Sequence, residues 1–128
     1  MHYPIHDYII KLSAELKPNR GKLLDYGCGA GEIVCIARES GFDSYGVDIF
    51  YSGGSTLRQV KEKNLYGTFI FEINNNIIPF PDNHFDIIVS NQVFEHIDDF
   101  TLPLDEIARV LKSDGVCINL FPSREVMA

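Results

Sequence analysis

The run Asp25-Tyr26-Gly27-Cys28-Gly29-Ala30-Gly31 constrains this chain more than any other feature of its sequence. It sits between Lys22 to Tyr26, which reads as a short apolar strand, and Glu32 to Ser40, which reads as a helix. Ile33, Ile36 and Ala37 mark that helix's inner face, and Gly41 is placed to cap its C-terminus. Glycines at alternate positions remove Cβ atoms, so the backbone can turn tightly and a ligand can lie directly against it. The dinucleotide fingerprint requires its third glycine three residues after the second. Counted from Gly27 and Gly29 that position is Glu32, and from Gly29 and Gly31 it is Val34. Neither register fits, and a carboxylate at Glu32 would repel a pyrophosphate at the helix N-terminus. No Gly-Lys-Ser/Thr follows, which excludes the phosphate loop as well.

The rest of the chain alternates strand and helix around this loop. Ile5, Tyr8, Ile9, Leu12 and Leu16 recur at helical spacing, so residues 5–17 are expected to form an amphipathic helix, ended by Pro18-Asn19-Arg20-Gly21. Ser44 to Val47 is a second strand ending at Asp48. Ser55 is placed to cap a polar helix reaching Asn64. Gly67 to Ile73 is a third strand, broken by Asn74-Asn75-Asn76, and Phe85 to Ser90 is a fourth, with the continuous apolar run of a strand covered on both faces. Thr101 to Lys112 is a helix expected to present Leu104, Ile107, Ala108 and Leu111 on one face. Ser113-Asp114-Gly115 then turns the chain into a fifth strand, Val116 to Phe121. This alternation implies a parallel sheet with right-handed crossovers, which binds ligands at the C-terminal ends of its strands. At 128 residues the chain is read as one domain, with residues 1–21 an N-terminal helical segment and 22–121 the binding core.

Asp48 ends the second strand, 17 residues beyond Gly31. A carboxylate there has two oxygens and no donor, so it can accept hydrogen bonds from both hydroxyls of a ribose. Eleven basic residues against 18 acidic ones give a net charge of −7, which works against binding nucleic acid and is compatible with a cationic small molecule. No apolar run is long enough to cross a membrane, and the N-terminus lacks a signal-peptide layout. Cys28, Cys35 and Cys117 are an odd number without metal-site spacing. They read as three small buried apolar side chains in a reducing, cytoplasmic setting. No metal site is expected, His2 and His6 being separated by Pro4 near a chain end.

Leu23 to Gly31, followed by Gly46-Val47-Asp48, resembles the cofactor site of class I S-adenosylmethionine-dependent methyltransferases. The stretches Pro79-Phe80-Pro81-Asp82-Asn83-His84-Phe85-Asp86 and Val93-Phe94-Glu95-His96-Ile97 narrow the likeness to the group that includes the ubiquinone and menaquinone biosynthesis enzymes. Glu106 to Lys112, ahead of Gly115, fits the helix leading to that family's fifth strand. The resemblance implies an α/β, Rossmann-like three-layer sandwich with a mainly parallel sheet in the order 3-2-1-4-5, here without the usual last two strands. It also implies S-adenosylmethionine as cofactor and S-adenosylhomocysteine as product. The backbone of Gly27, Cys28, Gly29 and Gly31 would lie against the methionine portion, and Asp25 would help hold its ammonium. Asp48 would take the ribose, with Ile49 beside the adenine. Asn74 stands where the family usually has an Asp that accepts from the adenine amino group, and Asn75 would offer a backbone N–H to the ring. Asn91 would lie near the transferred methyl.

Methyl transfer from a sulfonium is an in-line displacement by an O, N or C nucleophile, so alignment is the protein's main task. Where the acceptor must lose a proton, His96 is the candidate base, against the plainer reading that it is bonded within its loop or touches cofactor. Nucleic-acid amino-methyltransferases carry two prolines after strand four, and Asn91-Gln92-Val93-Phe94 has neither. Glu95 lacks the second glutamate that would clamp a guanidinium. These absences favour a small-molecule acceptor. The alternative is a cofactor-binding or interaction module without turnover, and a second copy covering the edge of strand five is an expected partner.

Overall fold

The structure is a computed structural model that describes residues 4–50, 54–91, 99 and 101–121. Its elements follow the order α1 (Pro4–Leu16), β1 (Lys22–Tyr26), α2 (Glu32–Glu39), β2 (Asp43–Asp48), α3 (Ser55–Glu62), β3 (Ile70–Glu72), β4 (Phe85–Asn91), α4 (Thr101–Val110) and β5 (Leu111–Leu120). The five strands form one sheet in the order β3-β2-β1-β4-β5, and every pairing is parallel. The chain turns back across the sheet between β3 and β4, so β1 and β4 lie at the switch point. The expected sheet is therefore the observed one.

Strand alternation sends Leu23, Ile87 and Val89 to one face, where they pack with Ile9 and Ile10 of α1 and Ile33 and Ala37 of α2. Leu24, Tyr26 and Ile88 face the other side, against Ile107 and Val110 of α4. No described helix joins β3 to β4. Phe80 fills that place, its ring 5.4 Å from Tyr45, 5.5 Å from Phe71 and 4.9 Å from Phe85.

Several local expectations are corrected. On α1 the buried residues are Ile9, Ile10 and Ser13, whereas Ile5, Tyr8 and Leu16 are exposed, because only one side of the helix meets the sheet. Ser55 is the first residue of α3 rather than its cap; Gly54 precedes it in an extended conformation with no side-chain cap. β3 starts at Ile70 rather than Gly67, since the N–H groups of Thr68, Phe69 and Ile70 all turn back to the Leu65 carbonyl. Asn74 to Ile77 is a tight turn closed by Ile77 N–H to the Asn74 carbonyl at 3.0 Å. Asn75 and Asn76 carry φ of +54° and +60°, which asparagine tolerates better than most residues. α4 stops at Val110, where Asn83 and His84 donate to the last helix carbonyls and Leu111 already pairs with Phe85.

α4 is also rolled away from its expected face. It buries Pro103, Ile107 and Val110, leaving Leu104 and Ala108 exposed. The cause is Arg109, which donates to Glu106, Asp82 and the carbonyls of Ile78 and Phe80 at 2.7 to 3.1 Å. Glu106 in turn accepts from Ile78 N–H at 2.8 Å. This clamp holds the Glu106 carboxyl below its usual range, chiefly through Arg109, and fixes the roll of the helix against residues 78–82. Of the cysteines only Cys28 is buried; Cys35 is exposed and Cys117 half-buried, and all three are free thiols.

Candidate cofactor site

β1, β2 and β4 bring the glycine loop, Asp48 and Asn91 to one end of the sheet. Val47 ends its run of pairing with β1 opposite Tyr26, and its carbonyl then accepts from both Gly27 N–H (2.8 Å) and Cys28 N–H (3.0 Å). The glycine loop is thereby pinned to β2. Gly31 N–H returns to the Cys28 carbonyl at 3.0 Å, and Gly31, with φ +90°, leads into α2.

Asp48 completes the loop. One carboxylate oxygen accepts from Gly29 N–H at 2.8 Å and the other from Phe50 N–H at 3.2 Å. A carboxylate offers about four acceptor positions, so two backbone bonds leave capacity for a pair of hydroxyls. Gly29 has φ +55°, and a Cβ built there would meet nothing within 4 Å. Its bare face looks onto a cleft of about 250 Å³ lined by Gly29, Asp48, Phe50, Gly54, Thr56 and Leu57. A larger cleft of about 340 Å³ runs along the outside of α2, so size alone does not find the site.

Cys28 points away from that cleft, into a cluster with Val34, Phe50, Val60 and Ile70. Burial pushes its thiol well above the usual range, so it acts as a packed apolar side chain, leaving only its backbone for a ligand. Behind it lies Gly46, where a Cβ would fall 2.7 Å from Cys28 Cβ and 2.8 Å from Val34 Cγ2.

Asp25 is 3% exposed. Burial, then the charges of Asp48 and Glu32, raise its carboxyl well above the ordinary range. Among the described residues no cation lowers it. Ile49, just beyond the end of β2, is 49% exposed, a bare apolar side chain. Ile73 N–H bonds the Asp48 carbonyl at 2.9 Å, which brings the exposed Asn74 and Asn75 to the same end. Asn91 ends β4 with its Oδ1 buried and, among the described residues, without a partner. His96 lies outside the described residues, as do Gln92 to Ile97 as a whole.

Three features escaped the sequence reading. The Asp48 carboxylate ties the loop as well as facing the cleft. Gly46 admits Cys28. The i, i+3 pair Glu106 and Arg109 was visible in the helix, but its partners 27 to 31 residues upstream were not.

A parallel sheet of this order, with a glycine loop after β1 and an acid after β2, defines a nucleoside-binding α/β domain of the methyltransferase class. Comparison with known proteins makes this specific. The family described as Methyltransferase domain matches residues 24–119, and this chain belongs to it, among the class I S-adenosylmethionine-dependent methyltransferases. The ubiquinone/menaquinone biosynthesis C-methyltransferase UbiE of Desulfotalea psychrophila is 31% identical over 108 residues, covering 80% of this chain and 42% of that protein. The ribosomal protein L11 methyltransferase of Burkholderia vietnamiensis is 35% identical over 81 residues, 62% of this chain and 25% of its own. The crystal structure of the PH0226 protein from Pyrococcus horikoshii superimposes with a TM-score of 0.75 at 25% identity, covering 98% of this chain and 59% of that one. The match takes in less than half the length of these curated relatives, from 17% to 48% of each.

Proposed function

We propose that this chain is the cofactor-binding core of an S-adenosylmethionine-dependent methyltransferase acting on a small-molecule acceptor. The observation that carries the reading is the single cleft shared by the bare face of Gly29 and the Asp48 carboxylate. The residues fit the cofactor: an open glycine for close approach, a carboxylate with spare acceptor positions for ribose, and a buried acid, Asp25, with no cation among the described residues, for an ammonium. When bound, the cofactor supplies a methyl group already activated on a sulfonium. The chain's part is to orient it. Asp48 fixes the ribose, Ile49 and the Asn74–Asn75 turn receive the base, and the loop backbone receives the methionine portion. Asn91 ends β4; His96, five residues on in the sequence, is the candidate base for an acceptor that must lose a proton.

The net charge of −7, the missing proline pair after Asn91 and the likeness to UbiE support a small molecule over a nucleic acid. The free cysteines support a cytoplasmic setting. Among the described residues, no helix is long and apolar enough to cross a membrane. A second reading, a cofactor-binding module completed by a partner, is supported by β5. Its outer edge pairs with nothing described, and Gly115 to Phe121 carries no charge. A second copy pairing there would appear as a dimer in sedimentation.

The direct test is calorimetric titration with S-adenosylmethionine and S-adenosylhomocysteine, repeated on Asp48→Ala. Loss of the ribose acceptor and of two loop bonds should weaken binding by about 1–3 kcal/mol. A folded chain that binds neither compound refutes the reading. Conversion of bound cofactor to S-adenosylhomocysteine in the presence of an acceptor separates the enzyme from the module.

A further inference from the structure

Asp25 lies on β1 between Gly46 of β2 and Val89 of β4, sharing the sheet face of Leu23. Its side chain therefore enters the layer between the sheet and α1 and α2, at 3% exposure. Among the described residues it receives no hydrogen bond from a side chain and faces no Lys, Arg or His. The ionisable groups whose charges reach it are Asp48, at the end of β2, and Glu32, in the first turn of α2, and both are acids. Cys28, from the glycine loop, is a buried thiol that stays uncharged. A lone carboxylate buried among other acids pays both desolvation and repulsion, and such a group keeps its proton.

We propose that cofactor binding by this chain is proton-linked: Asp25 is neutral in the free protein and ionises as the cofactor's ammonium comes to it. The inference rests on the cofactor reading above and deepens it. In the linked step the O–H bond of the Asp25 carboxyl breaks, its proton passes to solvent, and the remaining carboxylate pairs with the ammonium. The buried acid then sets the pH dependence of cofactor affinity. Below the α-amino range of about 7.7–8.0 the ammonium is already formed, so only Asp25 titrates in the exchange. While Asp25 is neutral in the free protein and ionised in the complex, affinity climbs toward tenfold per pH unit.

The experiment is calorimetric titration of S-adenosylhomocysteine into the chain between about pH 6 and 7, in buffers of different ionisation enthalpy. The expected result is a release approaching one proton per molecule bound, with affinity rising several-fold across that range. Asp25→Asn, checked for folding by circular dichroism, should bind more weakly and release none. Binding with equal heats in every buffer overturns the linkage and leaves the cofactor reading standing, as does release that persists in Asp25→Asn. Absence of binding at every pH overturns both. Carbon-13 labelling of the aspartate carboxyls gives an independent readout in the unmodified chain. One aspartate should be protonated near neutral pH and shift to carboxylate on addition of S-adenosylhomocysteine. Finding every aspartate ionised in the free protein overturns the proposal.

Discussion

Replacing Gly29 by alanine separates what the glycine loop does for the fold from what it does for a ligand. The backbone there is left-handed, at φ +55°, and an alanine in that region costs about 1–2 kcal/mol. Reduced freedom of the unfolded chain returns about 0.4–1 kcal/mol. The new Cβ meets no atom of the described residues within 4 Å, so no packing strain is added among them. Net destabilisation should be about 1 kcal/mol. The same methyl, however, stands in the cleft it shares with Asp48, where the proposed function has the cofactor touch bare backbone. An overpacking cost of about 2 kcal/mol in the complex corresponds to roughly 30-fold weaker binding. Gly46→Ala reverses the pattern. Its Cβ would meet Cys28 Cβ and Sγ at 2.7 Å and Val34 Cγ2 at 2.8 Å, and neither neighbour can swing away freely. A stability loss of about 2–3 kcal/mol is expected there. Urea unfolding and titration with S-adenosylhomocysteine, run on both variants, read the two quantities separately. If Gly29→Ala binds like the parent, the cleft is not where the cofactor lies; if it is the less stable of the pair, the packing account of the two glycines fails.

Asn74→Asp should tighten S-adenosylmethionine binding a few-fold, because a charged acceptor bonds an amino group about twice as strongly as an amide oxygen; unchanged affinity places the base elsewhere. Arg109→Met should destabilise the fold by about 2–3 kcal/mol in thermal unfolding, since it strands the carbonyls of Ile78 and Phe80 and leaves Glu106 half-buried without its cation. A loss below about half a kcal/mol would show that the clamp does not set the position of α4. Burial raises the Asp86 carboxyl, but Lys22 N–H at 2.8 Å and the Lys112 ammonium at 3.1 Å outweigh it and hold it below the usual range. Its stabilisation is therefore present above about pH 3.9 and fades as pH falls through the lower folded value. Asp86→Asn should cost about 1 kcal/mol at neutral pH, and the gap to the parent should close in acid denaturation scans. A constant gap at all pH values would mean that packing, not charge, is what Asp86 supplies.

The sequence by itself determined the order of elements and the parallel sheet. Those features rest on local signals: apolar period, glycine spacing and a single acid at a strand end, each legible within a few residues. Strand order came from the resemblance of Asp25 to Gly31 and of Asp48 to a known cofactor loop. Tertiary structure decided what depends on partners far along the chain. α4 offers apolar residues on two sides, and nothing local tells Leu104 and Ala108 from Pro103 and Val110; the bonds of Arg109 to residues 78–82 do. α1 presents an equally ambiguous stripe, resolved only by which side the sheet covers. Asp48 was legible as an acceptor but not as the group that ties Gly29, since that bond joins residues brought together by the pairing of β1 with β2. The isolation of Asp25 is the clearest case. Any sequence shows an aspartate, but only the packed sheet shows that no cation among the described residues reaches it, because burial and repulsion are properties of the assembled neighbourhood rather than of the residue.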